Sequence, residues 1–266
     1  MHRRRGYRVE IMAADRLALA AHGHPEMEYA EERIALACAF RWAARYDLHE
    51  SVANHFSLAV NDAGTRFLMN PRGRHFSLIR AGELLLLDAE DDSTMQRPDA
   101  PDPTAWGLHG AIHRRVPHAR CLLHVHSRYA TVLACLADPA LPPIDQNAMR
   151  FWGRVTVDEQ FEGMGLDDEA ERVASMAGDN PILLMRNHGV MVIGATVAQA
   201  FDDLYYFERA CETYITALQT GRELKIPCDQ VAATTRRQWL DYPDLSDDHF
   251  RELQAILDRE DPSYRD

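Results

Sequence analysis

The first clear period in the chain falls in residues 27–47, where Ile34, Ala37, Cys38, Arg41 and Trp42 recur close to helical spacing and Glu28, Glu31 and Glu32 favour the positive end of the helix dipole. Three strand-like runs follow at 55–60, 66–70 and 83–88, parted by Asn61-Asp62-Ala63-Gly64 and by Pro71-Arg72-Gly73. The Asp- and Pro-rich stretch 91–103 reads as a surface loop. A second helix begins near Thr104, which can cap it, and carries Ala105, His109 and His113 on one face. Residues 119–126 read as a buried strand, 127–136 as a helix, 154–158 as a short strand and 167–177 as a helix. Two apolar runs, 182–186 and 190–193, are joined by Asn187-His188-Gly189. A long helix over 197–220 and a polar tail with one last amphipathic helix at 249–259 complete the pattern. Strands alternating with helices predict a layered α/β domain with helices on both faces of one sheet. Residues 1–26 show no period and are expected to form an arm, 27–225 the domain, and 226–266 a tail.

Composition narrows the function classes. With 266 residues and 46% hydrophobic content, the chain can bury a sizeable core as one domain. A formal net charge of -12 repels polyanions, so nucleic acid is not an expected partner. No apolar run approaches the roughly 20 residues of a membrane span. Five scattered cysteines without a CxxC pair fit a reducing compartment, so the expected location is cytoplasmic.

The candidate chemistry lies in histidines. His124 and His126 stand two apart in a strand, so both imidazoles leave the same face and make half of a metal site. His188, in the tight link between two apolar strands, is the third candidate ligand, and three imidazoles with an open coordination position describe a catalytic site. His55 heads a strand after a polar turn, as a ligand-facing donor or as part of a capped turn. His109 and His113 share a helix face from which either could approach the metal, with His109 the better placed. His22, His24, His75, His118 and His249 lie in polar contexts and read as solvated, and Asp202, Glu208 and Arg209 read as helix-surface charges.

Several segments, in order, resemble the class II aldolase/adducin family: Glu50-Ser51-Val52-Ala53-Asn54-His55-Phe56-Ser57, Phe67-Leu68-Met69-Asn70-Pro71-Arg72-Gly73, His124-Val125-His126-Ser127 and Arg186-Asn187-His188-Gly189-Val190. The likeness spans roughly residues 31–225. It implies a single three-layer αβα domain around a mixed, mainly antiparallel sheet, and one divalent metal per chain on His124, His126 and His188. Zinc is the first choice, with manganese, iron or cobalt as alternatives. It further implies a small-molecule substrate met by Asn54, Ser57, Arg72 and Gly73, with His55 and His109 as catalytic groups, and a homo-oligomer, a tetramer in the family. The family's aldolases carry an acid four positions before the helix histidine; here that position is Ala105. Its loss, with Arg72 suited to a carboxylate rather than a serine-rich phosphate loop, leaves aldol cleavage, decarboxylation and an iron-dependent oxidation open. A non-catalytic scaffold, as in adducins, is the reading from a different class.

Overall fold

The computed structural model describes residues 27–91, 93–164, 166, 168–242 and 244–266. The arm expected over residues 1–26, with His22 and His24, lies outside the described residues. Strands β1 (His55–Ala59), β2 (Arg66–Met69), β3 (Leu85–Asp88), β4 (Cys121–Val125), β5 (Val155–Asp158), β6 (Ile182–Met185) and β7 (Gly189–Gly194) form one sheet in the order β3-β2-β1-β4-β7-β6-β5. Every neighbouring pair is antiparallel except β5 and β6. Helices α1 (Ala30–Arg45), α2 (Pro103–Arg115), α3 (Arg128–Ala134), α4 (Gln146–Arg150), α5 (Asp168–Met176), α6 (Val197–Gln219), α7 (Asp229–Leu240) and α8 (Leu245–Glu260) cover it.

Alternation along the strands builds the layers. Cys121, Leu123 and Val125 of β4, with Val190 and Val192 of β7, pack into the larger core with α1, α3, α6 and α8. Their neighbours Leu122, Met191 and Ile193 face the opposite way, into a cluster with Leu108 and Ile112 of α2 and Val173 of α5. Central strands buried on both faces explain why 182–186 and 190–193 read as apolar runs and 119–126 as a buried strand. No helix among the described residues is long and apolar enough to cross a membrane.

Some details depart from the sequence reading. The N-cap of α2 is Asp102, whose carboxylate accepts from the Thr104 amide at 3.0 Å, and Pro103 takes the first helical position, where a missing N–H costs nothing. In the polar tail, α7 escapes the periodicity because it buries only Ala232; it docks instead through the Trp239 indole, which donates to the Gln146 carbonyl of α4 at 3.2 Å. Phe250, Leu253, Leu257 and Tyr264 of this tail belong to the larger core. Nor are Asp202 and Glu208 surface charges: both are buried, Asp202 against Arg150 and His249, and Glu208 against the start of α3. His75 and His249 likewise have partners, in His49 and Ser77 for the first and Asp202 for the second.

Candidate functional site

The three central strands β1, β4 and β7 bring the candidate histidines together at one end of the sheet. His55 opens β1 and lies directly opposite His124 of β4 in the antiparallel register, so the two rings share a face, with centroids 4.8 Å apart. His126 follows two positions on. Between β6 and β7 the chain turns through Asn187, whose φ of 56° is the left-handed conformation that asparagine tolerates and whose amide donates to the Ala134 carbonyl. This turn holds His188 over the end of β4. Gly189 lets β7 come that close: a Cβ there would lie 2.5 Å from the Val125 carbonyl oxygen and 2.8 Å from the His126 ring. The result is a triangle in which His124, His126 and His188 each place a ring nitrogen within 4.8 Å of the others, with all three ring centroids 4.9 Å apart.

The hydrogen bonds behind these rings say which nitrogens face inward. The Nδ1–H of His124 donates to the Val190 carbonyl at 3.1 Å, and burial, then the neighbouring imidazoles, hold its ring neutral far below the usual range, so Nε2 carries a bare lone pair. His126 Nδ1 lies 2.6 Å from the Glu50 carboxylate, which likewise turns Nε2 inward. The two Nε2 atoms are 3.1 Å apart. Two lone pairs at that distance repel, so a cation, proton or metal, belongs between them. With His188 as third donor, and with Val190 and Glu50 orienting the rings from behind, the donor set fits a divalent metal. Burial, then His126, lowers the His188 ring to about 4, which keeps it neutral and ready to ligate.

Beside the triad opens a cavity of about 330 Å³. His55, Asp102 and Leu108 line its inner wall, while exposed Phe161 and Met164 stand at its side, Phe161 with its ring 5.9 Å from that of His188. No lysine or arginine lines it among the described residues. Arg72 sits outside on the rim, two-thirds exposed and 3.7 Å from the Asp102 carboxylate, and Gly73 follows in an open turn. Asn54 lies underneath: its carbonyl oxygen accepts from the Glu50 amide at 2.6 Å and weakly from that of His126 at 3.4 Å, fixing the turn that carries Glu50 to His126. Ser57 and His109 are fully buried and do not line the cavity.

These two belong to a polar chain inside the domain. His55 Nδ1 is 2.8 Å from His109 Nε2; His109 Nδ1 is 2.5 Å from Ser57 Oγ; Ser57 Oγ is 2.7 Å from His113 Nε2; and His113 Nδ1 is 2.7 Å from the Ala119 carbonyl. Burial lowers His55 to about 3 and His113 to about 4, and pushes His109 well below its usual range. His109 therefore reaches His55 rather than the triad. Position 105 is 1% exposed and packs with Ala59, Phe67, Met69 and Leu87, an apolar setting where an acid would be costly. Sequence reasoning missed Asp102, Phe161 and Met164. For Asp102 a signal existed, because Asp-Pro-Thr is an N-cap followed by proline at the first helical position; for the other two, in an irregular loop, none did.

The chain is 28% identical over 216 residues to decarboxylase NovR of Streptomyces niveus, covering 79% of each chain. It is 27% identical over 223 residues to 4-hydroxy-3-prenylphenylpyruvate oxygenase/4-hydroxy-3-prenylbenzoate synthase of Streptomyces roseochromogenus subsp. oscitans, covering 81% of this chain and 80% of that one. A crystal structure of an aldolase II superfamily protein from Pseudomonas syringae superposes with a TM-score of 0.80 at 31% identity, over 94% of this chain and 100% of that one. The model of the class II aldolase and adducin N-terminal domain matches residues 34–215, and the chain belongs to that family.

Proposed function

We propose that the chain is a metal-dependent carbon–carbon lyase, of decarboxylase rather than sugar-phosphate aldolase type, acting on a small hydroxylated and carboxylated aromatic compound. The observation that carries this reading is the inward-facing lone pairs of His124 and His126, beside a cavity with an apolar flank and no basic phosphate cradle. His124, His126 and His188 would hold zinc or a similar ion, which when bound supplies Lewis-acid charge to a carbonyl, carboxylate or hydroxyl oxygen. Phe161 and Met164 would pack against the ring of the substrate and exclude water. Asp102 is an acidic side chain lining the cavity, and bonds from Thr104, against the opposing effect of burial, hold its carboxyl below the usual range. Ionised at neutral pH, it would act first as a base toward the substrate and then return that proton to the carbon that loses carbon dioxide, the task that position 105 cannot perform. Arg72, paired with Asp102, would meet the substrate carboxylate at the rim. Likeness to NovR supports decarboxylation, and five free cysteines support a cytoplasmic location. A homotetramer is the assembly we propose from the family.

The test is carbon dioxide release from a panel of hydroxybenzoates and hydroxyphenylpyruvates by the zinc- and manganese-loaded protein. Release that vanishes in His126→Ala, and falls about 100-fold in Asp102→Asn with metal content unchanged, supports the reading. No release with any metal contradicts it. A second reading, an iron-dependent oxygenase on the same three neutral ligands, is favoured by the oxygenase relative; oxygen uptake only with Fe(II) would select it.

A further inference from the structure

The buried chain behind His55 has a direction, and a single atom sets it. The Ala119 carbonyl oxygen can only accept, so His113 Nδ1 must carry the proton. In a neutral ring Nε2 is then an acceptor, and the proton in the 2.7 Å contact must come from the Ser57 hydroxyl. A hydroxyl has one proton, so Ser57 Oγ accepts in its other contact and His109 Nδ1 donates. That leaves His109 Nε2 as an acceptor, which makes His55 Nδ1 the donor in the last bond. Each step follows from the one before, and His55, Ser57, His109 and His113 are all buried, His55 the most accessible at 6% exposed, so water has little chance to reverse the sequence.

We propose that Ser57, His109 and His113 are positioning residues that lock His55 in the tautomer with a bare Nε2, which makes the cavity wall a hydrogen-bond acceptor and selects substrates that present a hydroxyl proton there. The proposal rests on the reading of the cavity as a substrate site. His55 lines the cavity, and with Nδ1 committed to His109, Nε2 is the ring nitrogen left for a ligand. A carbonyl or ether oxygen at that place would face a lone pair, whereas a phenol or alcohol would donate to it. Sites built to bond a hydroxyl reject analogues that lack it, because the partner is left unpaired in a dry pocket.

The relay can be read without turnover. Long-range nitrogen–proton correlation spectra of the zinc-loaded protein, labelled at its histidine side chains, should show His55, His109 and His113 all as neutral Nδ1–H tautomers, with His55 Nε2 resonating as an unmetallated lone pair. In Ser57→Ala the His55 and His109 tautomers should become mixed, and Ser57→Thr, which keeps the hydroxyl, should restore them. Direct titration should then show 2-hydroxybenzoate binding about 10-fold more tightly than 2-methoxybenzoate to wild type, with the preference lost in Ser57→Ala. A His55 Nε2–H tautomer in wild type, a metal-shifted Nε2 resonance, or a hydroxyl preference that survives in Ser57→Ala with unmixed tautomers would overturn the proposal. The tautomer result stands even if no lyase activity is found, so the two readings fail separately.

Discussion

At the scale of single residues, the site is defined by what stands behind each ring. Val190 and Glu50 turn His124 and His126 so that their free nitrogens converge, and an imidazole lacking such a partner would rotate and present either nitrogen. Glu50→Gln should therefore keep the metal but bind it roughly 10-fold more weakly, since an amide can still accept from Nδ1–H but adds no charge; metal titration against a competing chelator checks this. Gly189 is the tighter constraint. Because an added Cβ would meet the Val125 carbonyl and the His126 ring, Gly189→Ala must push β7 away from β4 and displace the ligand. We expect a loss of about 1–3 kcal/mol in stability together with weaker metal binding, read by denaturant unfolding and by the same titration. An unchanged metal affinity in that variant would mean the close approach does not position His126.

At the scale of elements, α3 starts two residues after His126, and its first amides, which have no partner within the helix, are satisfied from another helix. Glu208 of α6 accepts from the Ser127 hydroxyl at 2.7 Å and from the Tyr129 and Ala130 amides at 2.8 and 3.0 Å. A carboxylate at a helix N-terminus also meets the positive end of the helix dipole. Glu208→Ala should cost about 1–3 kcal/mol and raise amide exchange at the start of α3, because three donors lose one acceptor. The role of Glu208 was hidden in the sequence, where a charged residue on an amphipathic helix reads as solvated; only the tertiary contact with a segment about 80 residues earlier reveals it. The same limit applies to the relay. His109 and His113 were legible as one helix face, but that their bonds run through Ser57 to His55 depends on α2 lying over β1. By contrast the triad and most strands were legible, because HxH in a strand and an imidazole in a tight link are local patterns whose geometry the backbone fixes. The helix over Asp229–Leu240 was not, since one buried alanine and one anchoring tryptophan leave no period to read.

Across the whole molecule, a cluster of neutral imidazoles inside the fold makes stability depend on pH with a definite sign. Burial holds His55 at about 3 and His113 at about 4, both below the ordinary 6.5, so the unfolded chain takes up protons before the folded one does. Their stabilising contribution is complete above about pH 6.5 and is lost as the pH falls toward about 4 and then 3. By pH 5 each of the two should have lost on the order of 2 kcal/mol. Urea unfolding of the metal-free protein should accordingly show a lower midpoint at pH 5 than at pH 7.5; equal midpoints would mean these rings are protonated or solvated in the fold.

Three inward-facing imidazoles are the reason to expect that this member of the aldolase and adducin family is a metal protein, and elemental analysis of the purified protein beside His124→Ala checks it. One equivalent of zinc, manganese, iron or cobalt per chain in the wild type, lost in a variant that still folds, is the predicted result. No metal above background in the wild type, even after reconstitution, would contradict it and favour a scaffold of the adducin kind.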